Sequence, residues 1–247
     1  MYQTKEIAAI VGVHPNTVRI YEEWGYISAV PRGVNGYRIY SDLHLFQLKI
    51  ARIAFRCEIV QGRIRAKARA IVEASGKADF TQALEYAQDY LSHLEKEYNR
   101  ALEAIELSEQ WICGIKSTST QTYTRKETAR VLDLSTEVIR NWERNGLITV
   151  HRLSNGSRAY TENEIKRLKI IRTLRTAHYS ISAILRLMNQ AENMRWTNLN
   201  IKKVLDTPED HEDIISVTDR LVYSLEQAIE SAKELIWILR AKLNVEI

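Results

Sequence analysis

The sequence predicts a mainly α protein assembled from two copies of one module, each copy followed by a long helix. Three observations carry that reading. Tyr2-Gln3-Thr4-Lys5-Glu6-Ile7-Ala8 recurs as Tyr123-Thr124-Arg125-Lys126-Glu127-Thr128-Ala129 at an offset of 121 residues, and repetition at a fixed spacing marks a duplicated structural unit. Only 9 glycines and 3 prolines occur in 247 residues, too few for the many tight turns of a sheet-rich fold. Two long stretches place apolar residues alternately three and four apart, the signature of a helix with one buried stripe.

The repeat holds through its length. At the same offset Val13 meets Leu134, Val18 meets Ile139, Arg19 meets Arg140, Tyr21 meets Trp142, Glu22 meets Glu143 and Gly25 meets Gly146. After one deletion the offset becomes 120, and Asn35-Gly36-Tyr37-Arg38-Ile39-Tyr40 falls on Asn155-Gly156-Ser157-Arg158-Ala159-Tyr160. The expected organisation is a first module over 1–75, a long helix over 79–114 and a polar linker over 115–122. A second module then covers 123–205 and a last long helix 211–245.

Within the first copy, Thr4 is read as the N-cap of a short helix whose apolar face is Ile7, Ala8, Ile10 and Val11. Gly12 makes a turn, His14-Pro15-Asn16-Thr17 opens a second helix, and Gly25 ends it. In the second copy Ser135 is the cap and Asn145-Gly146 the close. A short hairpin follows: Tyr26-Ile27 leads out, Asn35-Gly36 turns, and Tyr37 to Tyr40 returns. Its counterpart runs from Leu147-Ile148 through Asn155-Gly156 to Arg158-Ala159-Tyr160. Asp42 and Thr161 are expected to cap the next helices, which bury Leu45 and Leu48, or Ile165, Leu168 and Ile171. The long helices carry seams of Leu91, Leu94, Tyr98, Ala101, Ile105 and Ile112, and of Ile214, Leu221, Leu225, Ala228, Ala232, Leu235 and Leu239. Pro208 punctuates the approach to the second of them.

Two short helices joined by a tight turn, then a hairpin, make a winged helix-turn-helix, whose second helix suits the major groove of DNA. The wing suits the phosphate backbone or the minor groove. Arg19 with Arg38 recurs as Arg140 with Arg158, one arginine on each reading helix and one on each wing. Polar groups at the start of the reading helices, Asn16 and Thr17, then Thr136 and Glu137, are the expected source of base preference. Arg32 adds charge to the first wing. The two reading helices differ, so the expected target is an asymmetric site.

Composition bounds the alternatives. A formal charge of +4 from 35 basic and 31 acidic residues is modest, so the argument for DNA rests on placement and not on net charge. Cys57 and Cys113 make neither a disulfide framework nor a structural zinc site, and the six histidines show no metal-ligand spacing. With no Ser/His/Asp set and no phosphate-cradling loop, no catalytic residue, metal or cofactor is expected. No apolar segment reads as a targeting signal or membrane span, so the expectation is a cytoplasmic protein, nucleoid-associated when bound to DNA.

Val18-Arg19-Ile20-Tyr21-Glu22 followed by Gly36-Tyr37-Arg38-Ile39-Tyr40-Ser41 resembles the signature of the MerR family of bacterial transcriptional regulators. Val138-Ile139-Arg140-Asn141-Trp142-Glu143 with Arg158-Ala159-Tyr160-Thr161 resembles it too, as does the continuation Ala177-His178-Tyr179-Ser180-Ile181. The resemblance implies double-stranded promoter DNA and RNA polymerase as partners, and bending or untwisting of the promoter. It implies backbone contacts by Arg19, Tyr21, Tyr37, Arg38 and Tyr40, and by Arg140, Trp142, Arg158 and Tyr160. Ser157 departs from the pattern at the position of Tyr37.

Such regulators pair one long helix from each of two chains, antiparallel. Here the helix around 86–112 is expected to pair with that around 213–243 of the same chain, giving a monomeric pseudo-dimer, with a homodimer of four modules as the alternative. The first helix would be roughly 40 Å long, enough to set two heads about one DNA turn apart, near 34–36 Å. Trp111, Tyr179, Trp196, Tyr223 and Trp237 could form an aromatic cavity for a small lipophilic or cationic effector, or simply a core. The alternative function is an architectural protein that bends DNA for recombination, without an effector.

Overall fold

The computed structural model describes residues 1–57, 63–113, 121–152, 156–193, 200–208 and 217–243. Among them are eleven α-helices and one two-stranded sheet, so the chain is mainly α. Asn155 of the second turn, Trp196, Ile214 and most of the expected linker lie outside the described residues, as do the side chains of Ile112 and Cys113. The chain divides into two compact units, Met1–Lys96 with Ser224–Ile247, and Glu97–Tyr223.

In the first unit α1 (Thr4–Ile10) and α2 (Pro15–Glu23) form the helix-turn-helix. Gly12 takes φ +65° at the turn, a left-handed conformation that strains any residue with a β-carbon, and the Val13 amide reaches back to the Ala8 carbonyl at 3.0 Å. Thr4 is the first helical residue rather than the cap. Gln3 caps, because Glu6 then stands at the third helical position and accepts the Gln3 amide at 2.7 Å. The same displacement occurs at α3 (Asp42–Ala54): Ser41 is the cap, its amide donating to His44 Nδ1 at 2.9 Å. Asp42 instead accepts the Tyr2 hydroxyl at 2.8 Å. Proline at the start of α2 needs no amide there, and the His14 ring accepts from the Asn16 amide at 3.2 Å.

Ile7, Ala8, Val18, Ile27, Val30, Tyr40 and Leu48 close into one core, with Tyr21 and Leu45 packed at its edge. Each large aliphatic buried there contributes about 1.5–3 kcal/mol. α4 (Ile64–Gly76) lies against α3 and ends on α2's own terminus. A β-carbon on Gly76 would stand 2.0 Å from the Gly25 carbonyl oxygen, so only glycine permits that approach. Gln47 locks the junction, accepting the Ser28 amide at 2.9 Å and donating to the Ser75 carbonyl at 2.6 Å.

α5 runs unbroken from Phe80 to Cys113, its residues up to Lys96 belonging to the first unit. Its buried stripe is Ala83, Ala87, Tyr90 and Leu94, continuing in the second unit as Glu97, Ala101, Ala104 and Ser108. The spacing is the expected one. Leu94, Ala101 and Ile105 of the expected seam are buried, while Leu91 and Tyr98 stand half-buried at its side and further alanines with two polar residues share the stripe. The last helix, α11 (Leu221–Leu243), buries Leu221, Leu225, Ala228, Ala232, Leu235 and Leu239, the stripe read from the sequence. Within the first unit α11 runs antiparallel to α5. Lys242 Nζ lies 5.8 Å from the Phe80 ring centroid, and about four turns along α5, Glu95 lines one cavity with Lys233.

The second unit repeats the plan with β1 (Thr122–Tyr123), α6 (Arg125–Val131), α7 (Thr136–Arg144), β2 (Tyr160–Thr161) and α8 (Glu162–Thr176). Tyr123 pairs antiparallel with Tyr160, as Tyr2 pairs with Tyr40 in the first. Ser135 and Thr161 are the caps, accepting from Val138 at 3.2 Å and Asn163 at 3.2 Å. α9 (Ile181–Asn193) carries Arg186, 4% exposed, which donates to the carbonyls of Val204 and Leu205 at the end of α10 (Ile201–Asp206) and to that of Asp219. A buried guanidinium is tolerated because carbonyls satisfy it.

Candidate nucleic-acid interface

Each module presents its reading helix beside a wing. In the first, Arg32 and Arg38 bridge the two strands, Ile39 donates to the Pro31 carbonyl at 2.9 Å, and the turn is Gly33 to Gly36. The outgoing strand is therefore Pro31 to Gly33. Tyr26 and Ile27, read from the sequence as that strand, are buried and take no part in the hairpin, because Tyr40 spends its backbone groups on Tyr2 instead. The second wing repeats the bridge between Arg152 and Arg158.

One ion pair pins wing to reading helix in both copies. Arg38 Nε lies 2.5 Å from Glu22 Oε2, and Arg158 Nε lies 2.7 Å from Glu143 Oε2. The Glu22 contact holds the Arg38 guanidinium firmly charged. In the second copy Glu143 is only 5% exposed and also takes Arg125 at 2.9 Å and the Tyr160 hydroxyl. Burial first, and then the Glu143 carboxylate, push the Tyr160 phenol up to about 12. This pinning was missed in the sequence; the identity of Glu22 with Glu143 was its only signal.

The sequence-derived residues therefore fall into two groups. Asn16, Arg19, Arg32 and Tyr37 are exposed, with Thr17 half-buried at their side; in the second copy Thr136, Glu137 and Arg140 are exposed. Tyr40 and Tyr160 are fully buried, so neither hydroxyl is at the surface where a phosphate would lie. Trp142 is 5% exposed, and Tyr21 packs edge-on against Tyr26 and Phe55 at 5.5 and 6.3 Å. Arg38 and Arg158 are engaged by glutamate, each keeping a partly exposed face.

Of the aromatic effector set, Trp196 lies outside the described residues and the others have different surroundings within their own units. Trp111 borders a cavity in the second unit and Trp237 another in the first, while Tyr179 is fully buried and donates to the Ala101 carbonyl at 3.4 Å. Tyr223 is exposed. Among the described residues no group of three or more metal-ligating side chains clusters, and no helix is long and apolar enough to cross a membrane.

Two helices across a glycine- or aspartate-made turn, with a wing pinned to the second, define a tandem helix-turn-helix protein. The family description "MerR family regulatory protein" matches residues 3–40, and "MerR HTH family regulatory protein" matches residues 123–191. No curated protein and no solved structure matches the chain. The chain is a MerR-family DNA-binding transcriptional regulator carrying two of the family's modules.

Proposed function

We propose that the two modules engage the two unlike halves of one asymmetric promoter site, held by the chain's own long helices as a pseudo-dimer, and that binding bends or untwists the spacer for RNA polymerase. The observation that carries this reading is the antiparallel run of α11 along α5 in the first unit, the pairing that two chains would otherwise supply. Joining the heads raises their effective concentration for one site. Asn16, Thr17 and Arg19 face the bases of one half-site, and Thr136, Glu137 and Arg140 those of the other. Arg32, Tyr37 and the free faces of Arg38 and Arg158 lie along the backbone. Tyr21, Trp142, Tyr40 and Tyr160 act by positioning these groups.

Selection from a random duplex pool, followed by footprinting and sedimentation of the complex, tests the reading. An asymmetric protected site bound by one chain of 28.6 kDa is the expected result. A palindromic site, or a stable complex holding two chains, would overturn it.

A further inference from the structure

We propose that the second unit holds a site for an amphipathic organic anion, an aromatic or aliphatic carboxylate, and that occupancy acts on the neighbouring reading helix. A cavity of about 500 Å³ opens between the Glu97–Cys113 part of α5 and helices α6 and α8. That volume lies in the range of small-molecule sites. Its apolar wall is built from Leu107 and Trp111 of α5 and Val131 and Leu132 of α6. Val131 is 53% exposed, an apolar side chain left uncovered on that wall.

The polar rim is dominated by cations. Arg100, Lys169 and Arg172 border the cavity, against the single carboxylate of Glu103. Arg100 is neutralised by Glu97 at 3.1 Å, leaving Lys169 and Arg172 to set the field. Arg172 has only a loose companion, Asp133, at 3.7 Å, and the Asp133 side chain is 95% exposed. An incoming carboxylate can take both N–H groups of the Arg172 fork with its ring or chain on Trp111, a bidentate geometry that the solvated Asp133 does not use. A cationic body of the same shape would meet repulsion at the rim.

The coupling follows from where Asp133 sits. It forms the α6–α7 turn at φ +50°, a left-handed conformation costly for a residue with a β-carbon. It follows Val131 and Leu132 of the cavity wall directly, and Thr136 opens the reading helix three residues later. A ligand that draws Arg172 away from Asp133 changes the charge that faces this turn.

This regulatory half rests on the DNA-binding reading; the binding half does not. Calorimetry of the full chain with naphthoate, naphthylmethylamine and naphthylmethanol separates charge from aromatic bulk. Saturable naphthoate binding is expected, at least tenfold tighter than the amine, and Lys169→Gln with Arg172→Gln should weaken it at least fivefold. Quenching of tryptophan fluorescence by naphthoate should be lost in Trp111→Phe while calorimetric binding persists. No saturable naphthoate binding, or equal binding of the amine, overturns the site. Naphthoate binding that leaves DNA affinity unchanged overturns the coupling alone. Absence of DNA binding with naphthoate binding intact counts against the proposed function and not against the site.

Discussion

The two reading heads share a backbone plan and differ in how they hold their charge. On α2, Arg19 is exposed and the residue one turn before it, Asn16, is neutral. On α7 the equivalent of Asn16 is Glu137, which pairs with Arg140 at 2.7 Å and Arg144 at 2.8 Å. The first head presents an available guanidinium. The second presents two guanidinia already occupied by the Glu137 carboxylate, a pairing that any phosphate or base contact by either arginine has to compete with. Behind the surface the order reverses. Glu22 has one arginine partner and is 19% exposed, whereas Glu143 is 5% exposed with two arginines and a tyrosine. The second head is more rigidly braced and electrostatically quieter. Duplicate modules can diverge in charge without changing fold, because capping and core positions are independent of the exposed face of the reading helix.

Removing the brace should separate the copies most. Glu143→Ala leaves two arginines and a buried phenol without their acceptor, a loss of roughly 2–3 kcal/mol, since breaking a nearly buried charge network costs more than a surface pair. Glu22→Ala should cost about 1 kcal/mol or less. Hydrogen exchange resolved by peptide reads each module separately; equal losses would erase the distinction drawn here.

On DNA the asymmetry should invert. Arg19→Ala is expected to weaken binding roughly tenfold and lower the salt dependence by about one charge. Arg140→Ala should cost only about two- to threefold, because Glu137 already offsets that charge. Fluorescence anisotropy across a salt series measures both, and a larger loss for Arg140→Ala would reverse the assignment.

The turns offer a smaller contrast. Gly12 and Asp133 occupy equivalent left-handed positions, φ +65° and +50°. Asp133→Gly should stabilise the second module and Gly12→Ala destabilise the first, each by about 1 kcal/mol; denaturant midpoints of the full chain should move in opposite directions. The mildest change is Glu137→Gln, expected to tighten DNA binding by roughly two- to fivefold and steepen its salt dependence, as release of Arg140 and Arg144 adds cations to the interface.

Tyr160 adds a pH test of the brace. Its phenol ionises near 10.0 when unfolded and at about 12 when folded, so the folded state resists losing that proton. The associated stability is complete below pH 10 and fades as pH rises through 12. Tyr160→Phe should flatten the alkaline limb of the second module's stability, as followed by hydrogen exchange; an unchanged limb would place the loss elsewhere.

Much of this was legible from residue order. Duplication identified the modules, glycine and caps marked the turns to within one residue, and period fixed the α11 stripe from Leu221 to Leu239. Cap positions slipped at Thr4 and Asp42 because the box needs its partner three residues ahead, which places Gln3 with Glu6 and Ser41 with His44. The α5 seam expected from period is met at Leu94, Ala101 and Ile105, whereas beside Leu91 and Tyr98 the buried positions fall to Tyr90 and Glu97.

By itself the sequence determined two copies, the helices and the stripe each must bury, because periodicity and repetition are properties of a line. Only tertiary structure decided which polar groups spend their charge internally. Glu22 finds Arg38 sixteen residues on, and Glu143 gathers Arg125, Arg158 and Tyr160. Such pairs depend on where packed elements deliver side chains of compatible charge, and no local pattern encodes that distance.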